Sequence, residues 1–274
     1  MVNLSEFSFS QNNLQDFLEC PRRFELRHLH KLSWPAVSSE PVLEMERHMQ
    51  LGERFHQIVQ QHQLGLQPET LETTLAELEL ARWWGDYLAH PLQGLPSTRI
   101  PELFLQTHFE GYRFVAKFDL LAINPDEEAV IVDWKTNRQR PNRIALQTRA
   151  QTRLYPFLLV QSGAYLNKSK PVLPEQIRMV YWFTAQPDIP EIFQYSSQQY
   201  IEDCHTISEW LAQITHMAEI GFPLTTDIRL CKYCRYRSLC ERGIRAGEWA
   251  EIEEDESPLL DLNLDFDQIG EIQF

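Results

Sequence analysis

Residues 130–137 read VIVDWKTN, three β-branched apolar residues running straight into Asp133, Trp134 and Lys135. In a strand, residues i and i+2 share a face. Asp133 and Lys135 therefore project together, and Val132 and Trp134 face the other way into packing. An acid and a base so placed have a plain reading as a surface ion pair at a strand end, worth about 0–1 kcal/mol. The neighbouring segments decide whether they are more than that.

Upstream, RIPELFLQTHF (99–109) and YRFVAKFDLLAI (112–123) are strand-like, and the short turn NPDEE leads from the second into AVIVDWKT (129–136). Asp119 closes the apolar run YRFVAKFD, so a hairpin through NPDEE brings Asp119, Asp133 and Lys135 together. Two converging carboxylates repel unless positive charge sits between them. A divalent cation with oxygen ligands meets that need, and Mg²⁺ takes only one or two protein carboxylates beside phosphate and water. Lys135 could then hold a water and offset charge developing on a phosphoryl group. Glu102, in the first strand, is either a further carboxylate of this site or an ordinary polar residue after Pro101.

Working outward, Ser10 can cap a helix starting at Gln11, and Pro21 in ECPRRF bends the chain into a short helical piece ending near Leu29. Residues 42–63 and the segment from Glu69 to about Ala89 have helical periodicity. Residues 143–166 return to helix, with a kink expected at Pro156. IRMVYWFT (177–184) and EIFQYS (191–196) are two more strands, followed by a helix around Ile201–Ile220. Helices, three strands, a helix, two strands and a helix make an α/β fold with a mixed sheet between helical layers.

Length and composition agree with one large domain, here drawn as residues 1–245, followed by an acidic tail, 246–274. The 274 residues are 43% hydrophobic and 23% charged, enough for a sizeable core. There is no basic-then-apolar leader and no run of about 18 apolar residues, so a cytoplasmic protein is expected. A net charge of −14 argues against broad non-specific nucleic-acid binding. Its distribution weakens that argument: Glu248–Phe274 holds ten acidic residues and no Lys or Arg, and the other 247 residues hold 29 acids against 25 bases. A locally basic groove is compatible with that balance. The tail reads as a solvated end that docks back through its apolar residues, or as an acidic strip competing with a polyanion.

The five cysteines do not suit a disulfide framework. CKYCRYRSLC spaces Cys231, Cys234 and Cys240 so that three thiolates can reach one centre. Structural zinc takes four Cys or His ligands and a [4Fe–4S] cluster four thiolates, so a fourth must come from afar. Cys20 in FLECPRRFELRHL is the candidate. Spacing alone serves zinc and iron–sulfur equally, and Arg235, Arg237, Arg242 and Arg245 would suit a zinc knuckle too. Cys204 falls outside the pattern and reads as a buried thiol.

Together these residues resemble the PD-(D/E)xK nuclease superfamily, with Asp119 as the first acid and Asp133-Trp134-Lys135 as the D-x-K. DWKTN followed by a helix bearing QTRLY is similar to the RecB/Cas4 branch, whose Gln-x-x-x-Tyr maps onto Gln151 and Tyr155. The Gly-x-x-x-His of that branch maps onto Gly52 and His56 in LGERFH. The iron–sulfur members carry an N-terminal C-P-x-x-(F/Y) element and three later cysteines, matched by Cys20, Cys231, Cys234 and Cys240. One departure is Ala116-Lys117-Phe118-Asp119, where the family commonly has a glycine.

The resemblance implies a restriction-endonuclease-like core and a Mg²⁺- or Mn²⁺-dependent deoxyribonuclease, in particular an exonuclease on single strands or DNA ends. Asp119, Asp133, His56 and Glu102 would serve the metal, and Lys135 would position water. Gln151 and Tyr155 would orient the lysine or the substrate. Residues 8–30 and 225–245 would enclose a structural [4Fe–4S] cluster. DNA is the implied partner, with a helicase or a recombination or repair protein beside it; the residues do not give the oligomeric state. Two other readings stand next to this one: a non-catalytic DNA-end-binding module stabilised by a metal or cluster, and a zinc-stapled protein-interaction domain.

Overall fold

A computed structural model describes residues 4–32, 40–232 and 234–243. The acidic tail and Arg245 lie outside the described residues. The chain begins with a short strand β1 (Ser8–Phe9) and helices α1 (Gln11–Glu19) and α2 (Pro21–Phe24), the last running into a π-helical turn at Glu25–Leu29. Then come α3 (Glu40–Gln63), α4 (Pro68–Glu72) and α5 (Leu78–Ala89). The strands β2 (Thr98–Phe109), β3 (Tyr112–Asn124) and β4 (Glu128–Lys135) precede α6 (Arg143–Gln147) and α7 (Ala150–Ser162). β5 (Ile177–Phe183), β6 (Glu191–Gln194) and α8 (Ser197–Ile220) complete the order.

The six strands form one mixed sheet flanked by helices. β3 pairs antiparallel with β2 from Phe109↔Tyr112 to Thr98↔Ile123. Its other edge is shared: β1 runs parallel to it at Arg113 and Phe114, and β4 pairs antiparallel over Leu120–Asn124. β4 and β5 are parallel, with Asp133↔Tyr181 and Lys135↔Phe183, and β5 and β6 are antiparallel, with Tyr181↔Glu191. The β2–β3 hairpin closes through Glu110 (φ 50°) and Gly111 (φ 84°), the paired positive φ values that a two-residue turn needs to match strand twist.

Each face of the sheet has its own core. On one, Leu51, Phe55 and Val59 of α3 and Trp83 and Trp84 of α5 cover Val130, Val132 and Trp134. On the other, Leu154 and Leu158 of α7 and Ile207 and Leu211 of α8 cover Ile131, Tyr181 and Phe183. β4 is thus buried on both sides, and the expected alternation places Val132 and Trp134 opposite to Asp133 and Lys135.

β3 departs from simple alternation. Phe114, Ala116 and Phe118 face the α7 core, and so do Leu121 and Ile123, whereas Leu120 and Ala122 face the α3 core. The pleat therefore slips at Asp119. Opposite it, the β2–β3 register passes from Pro101↔Leu120 to Leu103↔Phe118, and between them Glu102 has φ 55°. A non-glycine residue in that region costs free energy and persists only where its surroundings enforce it.

Two helices are shorter than expected. The helix expected from Glu69 to Ala89 is divided into α4 and α5, because the Thr73 and Thr74 hydroxyls turn back to the Thr70 and Leu71 carbonyl oxygens at 2.7 Å each. The segment 143–166 breaks not at Pro156 but at Thr148 and Arg149, between α6 and α7. There the Thr148 hydroxyl bonds the Ala145 carbonyl at 3.1 Å, and the first amide of α7, at Ala150, donates to Gln15 Oε1 of α1 at 3.1 Å. α7 runs unbroken through Pro156. β1 was not anticipated; two residues are too few for a period to register.

Candidate active site

Asp133 and Lys135 are 4% and 8% exposed, so this is no solvated surface bridge. Lys135 Nζ lies 3.0 Å from Asp133 Oδ2. Gln151, on the α7 face, joins them: its Oε1 accepts from Lys135 Nζ at 2.8 Å and its Nε2 donates to Asp133 Oδ1. The Lys135 ammonium also stands 5.7 Å from the centre of the Tyr181 ring. Buried charges of this kind are tolerated only when paired and hydrogen-bonded, and removing one partner strands the other.

Asp119 stands at the slip in β3, one position before the ladder to β4 begins. Its Oδ2 accepts the Trp134 amide at 2.9 Å and lies 3.3 Å from His56 Nδ1, which arrives from α3. Burial alone would raise the Asp119 pKa. His56, the Trp134 amide and Lys135 outweigh it and hold the carboxyl below its ordinary value. For His56, burial disfavours the charged form, and Asp119 with Asp133 behind it prevails, so that pKa lies above the usual histidine value.

Glu102, opposite Asp119, forms an ion pair with Lys117. Burial lowers the Lys117 pKa, and Asp119 opposes that shift. Tyr155 sits one turn after Gln151 and donates its hydroxyl to the Lys117 carbonyl at 2.9 Å. Burial first, then Asp133 and Asp119, push the Tyr155 pKa well above its ordinary value, so the hydroxyl stays a donor. It thereby fixes the backbone two residues before Asp119, where the open edge of β3 lies between its β1 and β4 partners.

Three contributors escaped the sequence reading. His48 Nε2 lies 2.8 Å from the Thr136 carbonyl oxygen, directly after Lys135. Burial lowers the His48 pKa. Since a carbonyl only accepts, the neutral ring carries its proton on Nε2. Thr136 lies against Gly52: a Cβ on Gly52 would stand 2.9 Å from Thr136 Oγ1. His48, Gly52 and His56 thus recur every fourth residue along one stripe of α3 over the end of β4 and Asp119. The spacing is visible in HMQLGERFH, and it needed the stripe rather than Gly52 and His56 alone to be noticed. Lys117, the third, is two residues from Asp119 and carries the Glu102 pair.

The two terminal segments of the described residues also touch. The Arg22 amide donates to the Pro223 carbonyl at 3.1 Å, and the Phe24 and Phe222 rings are 5.7 Å apart. The Tyr236 hydroxyl donates to the Leu32 carbonyl at 2.9 Å. Cys20, Cys231, Cys234 and Cys240 are free and half-buried in this region. Burial raises the pKa of Cys231, Cys234 and Cys240, and the neighbouring Cys20 adds to each shift. Cys204 is half-buried against the α7 core. Among the described residues, no three His, Cys, Asp or Glu side chains are arranged to hold a metal ion. Among the same residues, no helix is long and apolar enough to cross a membrane.

Comparison with known proteins supplies independent findings. No curated protein matches the chain. A protein from Eubacterium rectale, provisionally named an exonuclease, has a crystal structure that superposes with TM-score 0.51 at 10% identity, covering 87% of this chain and 89% of its own. The crystal structure of SSO0001 aligns at TM-score 0.40 and 14% identity over 86% of each chain, too loosely to carry an argument. The family model of the PD-(D/E)XK nuclease superfamily matches residues 8–241, a span that includes both strand-end carboxylates, the lysine and the two touching termini. The chain belongs to the PD-(D/E)XK nuclease superfamily.

Proposed function

We propose that this protein is a divalent-metal-dependent deoxyribonuclease of the RecB/Cas4 type, acting as an exonuclease on single strands or DNA ends. The observation that carries the reading is the burial of Asp133 and Lys135 side by side at a strand end, joined by Gln151 and next to Asp119. The name given to the Eubacterium rectale relative supports the exonuclease part.

Asp119 and Asp133, with His56 and Glu102 beside them, would hold Mg²⁺ or Mn²⁺, since oxygen donors on neighbouring strand ends suit a hard cation. Such an ion, when bound, polarises a phosphoryl oxygen and makes a hydroxide available near neutral pH. Lys135 offers its ammonium protons to the attacking water and to the phosphoryl oxygens as charge grows there. Gln151 holds that ammonium in one orientation. His56 and the Trp134 amide fix the Asp119 carboxylate, and Tyr155 holds the backbone leading to it.

End-labelled single- and double-stranded DNA given with Mg²⁺ or Mn²⁺ tests the reading. Wild type should release short labelled products. Asp133→Asn and Lys135→Ala should each cost at least about 100-fold in rate, the scale of a lost transition-state contact. Equal rates in wild type and Asp133→Asn would overturn it.

We also infer that Cys20, Cys231, Cys234 and Cys240 hold a structural [4Fe–4S] cluster. Four thiols on two segments that hydrogen bonds and the Phe24–Phe222 contact bring together support this reading. A cluster there would clasp the two ends of the domain. Anaerobic purification should give a brown protein with iron, sulfide and broad absorption in the visible range; a colourless, zinc-bearing protein would decide against it.

A further inference from the structure

Downstream of Asp133 the charge pattern changes sign. From Trp134 to Pro174 the chain contains no Asp or Glu, although its net charge is −14. Five arginines, Arg138, Arg140, Arg143, Arg149 and Arg153, follow Lys135 within this stretch. Two of them converge on one carboxylate: Arg140 and Arg143 each form an ion pair with Glu191 of β6, one to each carboxylate oxygen. Arg143 also donates to the Ile192 carbonyl at 3.0 Å, and Arg140 to Gln186 Oε1 at 3.2 Å.

Both guanidinium groups lie over aromatic rings. Arg140 is 5.6 Å from the centre of Phe183, and Arg143 is 4.3 Å from that of Phe193. Stacking of this kind fixes the plane of the fork and leaves its edge to bind an anion. Phe183 is the β5 partner of Lys135, and Glu191 pairs through Tyr181 with Asp133 in one row across the sheet. Strands lie about 4.8 Å apart, so Glu191 is about 10 Å from Asp133 along that row and on the same face. Phosphates follow one another by about 3.4 Å of rise per strand in a duplex, which places the arginine pair within a few nucleotides of the proposed site of cutting. Arg143 has 54% of its side chain exposed, whereas Glu191 has 13%. The Arg143 fork is reachable from solvent, the Arg140 side chain is 17% exposed, and the carboxylate that now occupies both is a chemical analogue of a phosphodiester oxygen pair.

We propose that Arg140 and Arg143 form a phosphate subsite for the strand being cut, and that Glu191 occupies this seat until a nucleic-acid phosphate displaces it. The proposal rests on the nuclease reading for its substrate, but its geometry belongs to β6 and to the segment after Lys135. Glu191 thus sets how tightly DNA backbone is held: it orders the arginines in the free protein and competes with the phosphate for them.

The test is binding of a short fluorescein-labelled single strand to the full-length protein in a chelator, followed by fluorescence anisotropy across a range of salt. The double variant Arg140→Gln/Arg143→Gln should bind roughly tenfold more weakly, and its slope of log K against log salt should fall by about 0.7–1.4, the loss of one or two phosphate contacts on a single strand. Glu191→Gln should bind more tightly than wild type. Arg143→Lys, which keeps the charge and loses the fork, should lie between. With Mn²⁺ and saturating DNA, the arginine variants should show raised KM and unaltered kcat.

An unchanged affinity and salt slope in the arginine variants would overturn the proposal, as would weaker binding by Glu191→Gln or no binding by wild type. Should the double variant fail to fold, Glu191→Gln and Arg143→Lys decide, because the first predicts a gain that loss of structure cannot imitate. If wild type binds in this arginine-dependent way and cuts nothing, the nuclease reading fails and the subsite stands. If wild type cuts and the arginines leave binding unmoved, the subsite fails and the nuclease reading stands.

Discussion

Asp119 and Asp133 are placed one rung beyond Leu120↔Val132, the last paired position of β3 and β4 at that end, and they are tied from opposite faces of the sheet. Gln151 of α7 holds Asp133 together with Lys135, and His56 of α3 stands against Asp119. The two acids share a strand end, yet their side chains are held from different helices. Changes at Gln151 should therefore act through the lysine and changes at His56 through Asp119.

Gln151→Ala tests the first of these links. It deprives two buried charged groups of one hydrogen bond each, and Gln151 itself is 1% exposed. Stability should fall by about 1–3 kcal/mol, the usual cost of leaving buried polar groups unsatisfied. Urea denaturation in a chelator measures that. Hydrolysis should fall through kcat with little change in KM, because the lysine loses its orientation and not its charge. A normal kcat would show that Asp133 alone positions Lys135.

Tyr155→Phe separates a positioning residue from one that touches substrate. The hydroxyl donates to a backbone oxygen, that of Lys117. Its removal should cost about 1 kcal/mol of stability. The rate should drop less than in Gln151→Ala. A larger loss in kcat than Gln151→Ala produces would mean that the hydroxyl leaves Lys117 to meet the substrate.

Period and register made most of this legible in the chain itself. β4 obeys strict alternation, so Asp133 and Lys135 could be assigned a common face from VIVDWKTN. Gln151 and Tyr155 share a face because a helix repeats every fourth residue, and the structure gives the first to Lys135 and the second to the backbone of β3. What was hidden depends on departures from period. The pleat slip at Asp119 appears in the sequence only as two leucines in DLLAI where alternation would allow one. Glu102 could not be paired with Lys117 without knowing that its backbone turns to positive φ. The break before α7 depends on a side chain 135 positions away, Gln15, which no local pattern reports.

The contact between Gly52 and Thr136 predicts a non-additive pair. Gly52→Ala sets a Cβ 2.9 Å from Thr136 Oγ1, closer than real Cβ atoms approach. Overpacking of this sort costs about 1–3 kcal/mol, and here it also pushes on the residue next to Lys135, so activity should fall with stability. Thr136→Ala removes the offending oxygen. In the double variant the cost of Gly52→Ala should shrink by at least about 0.5 kcal/mol, the threshold at which neighbouring sites are taken as coupled. Additive denaturation free energies would mean that α3 simply shifts away from β4.

Acid should loosen the N-terminal region through Asp16. Burial alone would raise its pKa, but Arg23, then His28 and Arg27, outweigh burial and bring it from 3.8 down to about 2. Arg23 Nε lies 2.8 Å from Asp16 Oδ1, and His28 Nε2 lies 2.8 Å from Oδ2. A carboxyl with a folded pKa below its unfolded one stabilises the fold above the unfolded value and loses that contribution as pH falls through the folded one. The window here runs from about pH 4 down to about pH 2, and the amount is about 2 kcal/mol. Because every carboxylate in the chain titrates in acid, the comparison that isolates Asp16 is wild type against Asp16→Asn. The stability gap between them, read from urea denaturation at several pH values, should be widest near pH 5 and narrow as pH approaches 2. A gap that does not vary with pH would mean that Asp16 contributes through packing and neutral hydrogen bonds, with no part played by its charge.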